Sequence, residues 1–124
     1  MKTIVVVDDD AEAAETLAQA LAGPDRRVRS FSDPIRALAA ITADGADLLI
    51  ADLAMPWIDG QDVVASARLR CPSLAVILIS GLGVGLEVAL REGVPFFSKP
   101  VDLHRLRGRV EQSLAESVAH LDLP

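Results

Sequence analysis

The sequence predicts an α/β domain, a doubly wound parallel sheet of five strands with helices on both faces, and three observations predict it. Apolar runs of strand length alternate along the chain with segments of helical spacing, and right-handed crossovers leave few other topologies for such alternation. Four of the runs carry no polar alternation, as expected of strands covered on both faces. The strongest polar residues directly follow the runs, at the carboxyl ends of strands, where such folds bind their ligands near the point at which strand order reverses.

The elements follow in order. Ile4 to Val7 is the first run, and it leads into Asp8-Asp9-Asp10. Ala14, Leu17 and Leu21 mark the first helix; Asp10 is placed to cap it, and Glu12 and Glu15 belong to its solvated face. Arg27 to Phe31 alternates in polarity, which suits an edge strand. Asp33 as N-cap and Pro34 at the first helical position open a helix containing Ile35 and Leu38. Asp47 to Ala51 is the third run, ending at Asp52, and Val63, Val64 and Ala67 mark the next helix, which ends at Cys71 before Pro72. Burial is the expectation for that cysteine. Leu74 to Ile79 is the fourth run, followed by Ser80, and Val94 to Ser98 the fifth, followed by Lys99. Leu103, Leu106, Val110, Leu114, Val118 and Leu121 share one stripe, predicting a final amphipathic helix over about 101–120 that closes the domain before a short tail. His104 and His120 read as surface groups on it.

A chain of 124 residues that is 51% hydrophobic can bury roughly two-thirds of its unfolded surface in one core, and no linker or repeat divides it, so residues 1–124 read as a single domain. With 18 acidic against 12 basic residues, the net charge of -6 argues against a direct nucleic-acid ligand and favours a cationic one. The single cysteine allows no internal disulfide, and the N-terminus lacks a signal-peptide layout. The apolar runs are far shorter than the ~20 residues a membrane span needs. A cytoplasmic protein with no membrane association is expected.

Parallel strands present their carboxyl ends together, so Asp8, Asp9, Asp52, Ser80 and Lys99 converge although they are distant in sequence. Crowded carboxylates repel, and a hard divalent cation with oxygen ligands relieves that repulsion, which makes Mg2+ the first expectation. No histidine or cysteine stands at these strand ends, so the set is unlike a zinc or copper site. A lysine and a hydroxyl beside the acids are suited to holding phosphoryl oxygens.

Ile4-Val5-Val6-Val7-Asp8-Asp9, Asp52-Leu53-Ala54-Met55-Pro56 with Asp59-Gly60, Ile79-Ser80-Gly81 and Lys99-Pro100 together resemble the response-regulator receiver family of two-component signal transduction, over nearly the whole chain. The resemblance implies a flavodoxin-like strand order 2-1-3-4-5. It implies that Asp52 is the phosphoacceptor, that Asp9 binds Mg2+ directly with Asp8 acting beside it, that Asp52 and the carbonyl of Ala54 complete the metal oxygens, and that Lys99 and Ser80 clamp the phosphoryl group. A cis peptide before Pro100 and a switch pair, Ser80 with Phe96, are implied as well, the switch changing the surface of the fourth helix, fifth strand and fifth helix. The implied partners are a sensor histidine kinase or histidine phosphotransfer protein and a downstream effector. The implied protein is a monomer or weak dimer that catalyses only its own phosphorylation and dephosphorylation.

Departures from the family pattern carry expectations of their own. The interval from Ser80 to Lys99 is short and contains Gly81, Gly83 and Gly85, so the fourth helix should be short or displaced and the glycine run a flexible loop rather than a nucleotide-binding one. Trp57 stands where the family often has glycine, and Phe96 lacks the hydroxyl many members carry, which leaves a plain core phenylalanine as the competing reading. Apolar Ala54 and Leu82 cannot position an attacking water, which predicts a persistent phosphoryl group. A rival reading, a haloacid-dehalogenase-like phosphatase with Asp8 as nucleophile, would need Asp102 and Glu111 as metal acids and leaves the Asp52 segment unexplained. A flavodoxin-like cofactor binder would have to tolerate three aspartates at its phosphate site. A receiver excised from a hybrid kinase or larger regulator would share the same site; a stand-alone regulator is the expectation.

Overall fold

A computed structural model describes residues 1–52, 60–81 and 84–121, with side chains described for all of these except 60, 61, 84 and 117–121. The strands are β1 (Lys2–Val7), β2 (Arg26–Phe31), β3 (Leu48–Asp52), β4 (Ala75–Ser80) and β5 (Phe96–Ser98). The helices are α1 (Ala11–Leu21), α2 (Pro34–Asp44), α3 (Gly60–Arg70), α4 (Val84–Glu92) and α5 (Leu103–Leu121). All strand pairs are parallel, in the order β2-β1-β3-β4-β5. Strand order reverses between β1 and β3, and the register there pairs Val7 with Ala51. The residues that follow, Asp8 and Asp52, therefore emerge side by side.

Alternation along each strand sends successive side chains to opposite faces and so builds two cores. Val5, Val7, Leu49, Ala51, Val76 and Leu78 pack under α2, α3 and α4 through Ala37, Ile41, Val63, Val64, Ala67, Val88 and Ala89. Ile4, Val6, Leu48, Ile50, Ile77 and Ile79 pack under α1 and α5 through Ala14, Leu21, Leu106, Val110 and Leu114. The predicted stripe of α5 thus faces the sheet at its centre, while Leu103 is 39% exposed. Asp10 caps α1 by accepting from the amides of Glu12 and Ala13, and Asp33 caps α2 by accepting from Ile35.

Two expectations need correction. The fifth run does not form a fully covered strand over 94–98: β5 is three residues long, half-buried at Phe96 and Phe97 and exposed at Ser98. It is the second edge of the sheet, and Pro95 immediately before it has no amide to donate, although its carbonyl accepts from the Leu78 amide at 2.9 Å. The glycine run is not all loop either, since α4 begins at Val84 and includes Gly85. At nine residues α4 is the shortest helix, as the short interval predicted. Cys71 follows α3 and is half-buried, its thiol 3.4 Å from the Ala46 carbonyl. His104 is exposed; Val118, His120 and Leu121 lie among the undescribed side chains.

Candidate functional site

Each strand end delivers one part of the site. Asp8 and Asp9 follow β1, Asp52 closes β3, Ser80 closes β4, and Lys99 follows β5. Registers of Asp52 with Ile79 and of Ser80 with Ser98 set Ser80 one step beyond Asp52, with Lys99 next along its own strand. The amide of Lys99 donates to the Ser80 carbonyl at 3.1 Å, extending the ladder by one rung and fixing where the lysine leaves the sheet. The Lys99-Pro100 peptide is cis, as the resemblance implied.

Asp52 and Asp8 are buried, at 3% and 8% exposure, whereas Asp9 is exposed. One carboxylate oxygen from each of the three lies within 4.8 Å of the others. Lys99 Nζ donates to Asp52 Oδ2 at 2.6 Å and lies 3.5 Å from Asp8 Oδ2. The other oxygen of Asp8 accepts from the Asp10 amide at 3.0 Å, which holds the carboxylate so that Oδ2 turns toward the lysine. The residue that caps α1 thus also orients Asp8.

Electrostatics show how incompletely the cluster is balanced. Burial, together with the charge of Asp52 and a hydrogen bond to Asp9, holds the Asp8 carboxyl above its ordinary value despite the Asp10 amide and Lys99. Burial works to lower the Lys99 ammonium, but its hydrogen bond to Asp52 and the charges of Asp52 and Asp8 outweigh it and raise it. Among the described residues three carboxylates face one ammonium, a negative excess. An all-oxygen donor set of this charge and spacing fits a hard divalent cation such as Mg2+.

Ser80 is buried at 2% exposure, and Phe96 is half-buried against the α2–α4 core. Ala54, Trp57, Asp59 and Leu82 lie outside the described residues. Asp102 accepts from the Arg105 amide at the start of α5, and Glu111 accepts from Arg26 at 2.5 Å, so neither acid of the phosphatase reading joins the described carboxylate group. Sequence reasoning placed Gly85 in a flexible loop; its fit beside Ser80 within α4 depends on tertiary approach, which no local pattern reports.

Residues 4–111 match the response regulator receiver domain family, and the chain belongs to it. It is a receiver domain of the two-component response-regulator type. Over 98% of its length it is 33% identical to the DNA-binding transcriptional regulator NtrC of Azospirillum brasilense, covering 26% of that protein. Over 96% it is 30% identical to the tetrathionate response regulatory protein TtrR of Salmonella typhimurium strain LT2, covering 59% of it. The chain spans roughly a quarter of the length of the first curated relatives it matches. A CheY-like receiver domain structure from Methanospirillum hungatei JF-1 shares the fold, with a TM-score of 0.87 at 23% identity, covering 97% of this chain and 98% of the other.

Proposed function

We propose that Asp52 accepts a phosphoryl group and that the modification switches the binding of a downstream protein. The observation that carries this reading is the buried Asp52 carboxylate, grouped with Asp8 and Asp9 and held at 2.6 Å by Lys99. An oxygen of Asp52 attacks phosphorus, the N–P bond of a phosphohistidine breaks, and the imidazole leaves with its electron pair. Asp8, Asp9, Asp52 and the carbonyl of Ala54 would hold Mg2+, which when bound supplies positive charge against the phosphoryl oxygens. Lys99 neutralises one of these oxygens, and the Ser80 hydroxyl donates to another.

The donor under this reading is a sensor histidine kinase or a histidine phosphotransfer protein, and the output is a protein contact rather than nucleic acid, in keeping with the net charge of -6. The chain turns over no external substrate and acts in the cytoplasm; among the described residues no helix is long and apolar enough to cross a membrane. Thermal unfolding with Mg2+ and beryllofluoride, a phosphoryl mimic, tests the site. The wild type should gain several degrees more from Mg2+ with beryllofluoride than from Mg2+ alone, and Asp52→Asn should gain nothing further from beryllofluoride; equal gains in both proteins would refute the assignment.

A further inference from the structure

Helix α4 begins directly against the Ser80 and Phe96 side chains. A Cβ built on Gly85 would lie 2.7 Å from Phe96 Cε1, 2.7 Å from Ser80 Cβ and 3.2 Å from Ser80 Oγ. Carbon atoms cannot approach that closely without displacement, and Ser80 Cβ is no flexible tip that could swing aside. None of Gly23, Gly45, Gly81, Gly93 and Gly108 has a contact under 3.0 Å. The backbone supplies no competing reason for glycine: positive φ occurs only at Gly45 and Gly93 among the described residues. Within a helix, glycine costs roughly 0.5–1 kcal/mol relative to alanine. Close approach is therefore what position 85 requires.

The short connection explains why the approach exists. Only residues 81–83 separate β4 from α4, so the first turn of the helix is drawn onto the end of the strand that carries Ser80. Phe96, on the neighbouring strand, brings its ring edge to the same point.

We propose that Gly85 is a positioning residue of the switch, through which Ser80 acts on α4 by direct contact, in addition to any path through the Phe96 ring. The inference rests on Asp52 being the phosphoacceptor. When the Ser80 hydroxyl turns toward a phosphoryl group on Asp52, its Oγ leaves the turn at Gly85, which loses support on that side and shifts. Leu86 and Leu90, 48% and 74% exposed on α4, move with it.

Beryllofluoride with Mg2+ and NMR of the intact chain test this, with amide shifts reporting on Gly85 to Val88 and fluorinated phenylalanine reporting on the ring. In Phe96→Ala the amides of Gly85 to Val88 should keep at least about half of their wild-type response to beryllofluoride, because the Ser80 contact survives. Gly85→Ala should weaken beryllofluoride binding by about tenfold, a coupling of the size expected for residues in contact, and should shift the Phe96 resonance before any ligand is added while leaving that of Phe31 in place. Loss of the α4 response in Phe96→Ala would overturn the direct path, as would wild-type affinity and an unmoved ring in Gly85→Ala. If Gly85→Ala does not fold, the Phe96→Ala experiment decides alone. A wild-type chain that gives no response to beryllofluoride overturns the Asp52 reading itself, a different result from either of these.

Discussion

Arg26, at the start of β2, and Lys99, just past β5, each lie between two carboxylates, but the two arrangements are inverted. At Arg26 the cation is half-buried and the acids are open: its side chain is 9% exposed, against 69% for Asp25 and 60% for Glu111. At Lys99 the cation is 40% exposed, and the acids are buried, at 3% for Asp52 and 12% for the Asp8 side chain. The shifts follow the inversion. Hydrogen bonds to Glu111 and Asp25 raise the Arg26 guanidinium, and the bond from Arg26 lowers Asp25, so each charge there favours the other. At Lys99 burial raises Asp8, against its charged form. One cluster satisfies itself and ties β2 to α5; the other, among the described residues, remains short of positive charge. Which partner is covered, and whether the charges cancel, separates a structural ion pair from an acidic group that could hold a cation.

The largest effect expected from this comparison is on metal binding. Asp8→Asn should weaken Mg2+ binding by about 10–100-fold, while Arg26→Ala should leave it within about twofold; titration calorimetry on both variants separates the clusters. If both lose affinity alike, the clusters do not differ in kind. Stability should sort the other way. Arg26→Ala should lower the unfolding free energy by about 1–2 kcal/mol in denaturant titrations, through lost packing of a half-buried side chain as well as lost pairing. Asp8→Asn should raise the stability of the metal-free protein by a smaller amount, on the order of 1 kcal/mol or less, because it removes a disfavoured charge while keeping an acceptor for the Asp10 amide.

The pH dependence sharpens the same contrast. Asp8 has a raised folded value, so its favourable contribution is complete below the ordinary carboxylate range and is lost as pH rises through the folded value. Metal-free wild type should therefore lose stability across that interval relative to Asp8→Asn, and parallel curves would refute the raised value. Lys99 is raised too, so its contribution holds through neutral pH and is lost only as alkaline pH passes its folded value.

Much of the candidate site's placement was legible in the sequence because parallel strands translate sequence position into spatial position. A polar residue that ends an apolar run lies on the carboxyl edge whatever the details of packing, and Asp8, Asp52, Ser80 and Lys99 all follow that rule. Asp10 was legible as a cap because capping is local, yet its amide's bond to Asp8 was not. The fifth run misled because composition cannot distinguish a central strand from a short edge strand when both are apolar. Glu111 drew attention as a candidate metal acid, and only its approach to Arg26, far away in sequence, reveals it as part of a clamp. Gly85 was hidden for the same reason: its role depends on what packs against it.

The central claim, that the negative excess around Asp52 serves a metal-dependent phosphoacceptor, is tested most directly by incubating the protein with phosphoramidate and Mg2+ and locating the modification by intact mass and peptide mapping. One base-labile phosphoryl group on Asp52, lost without Mg2+ and in Asp52→Asn, is the predicted result. Modification at Asp8 with continuous release of phosphate, or labelling that persists in Asp52→Asn, would contradict it.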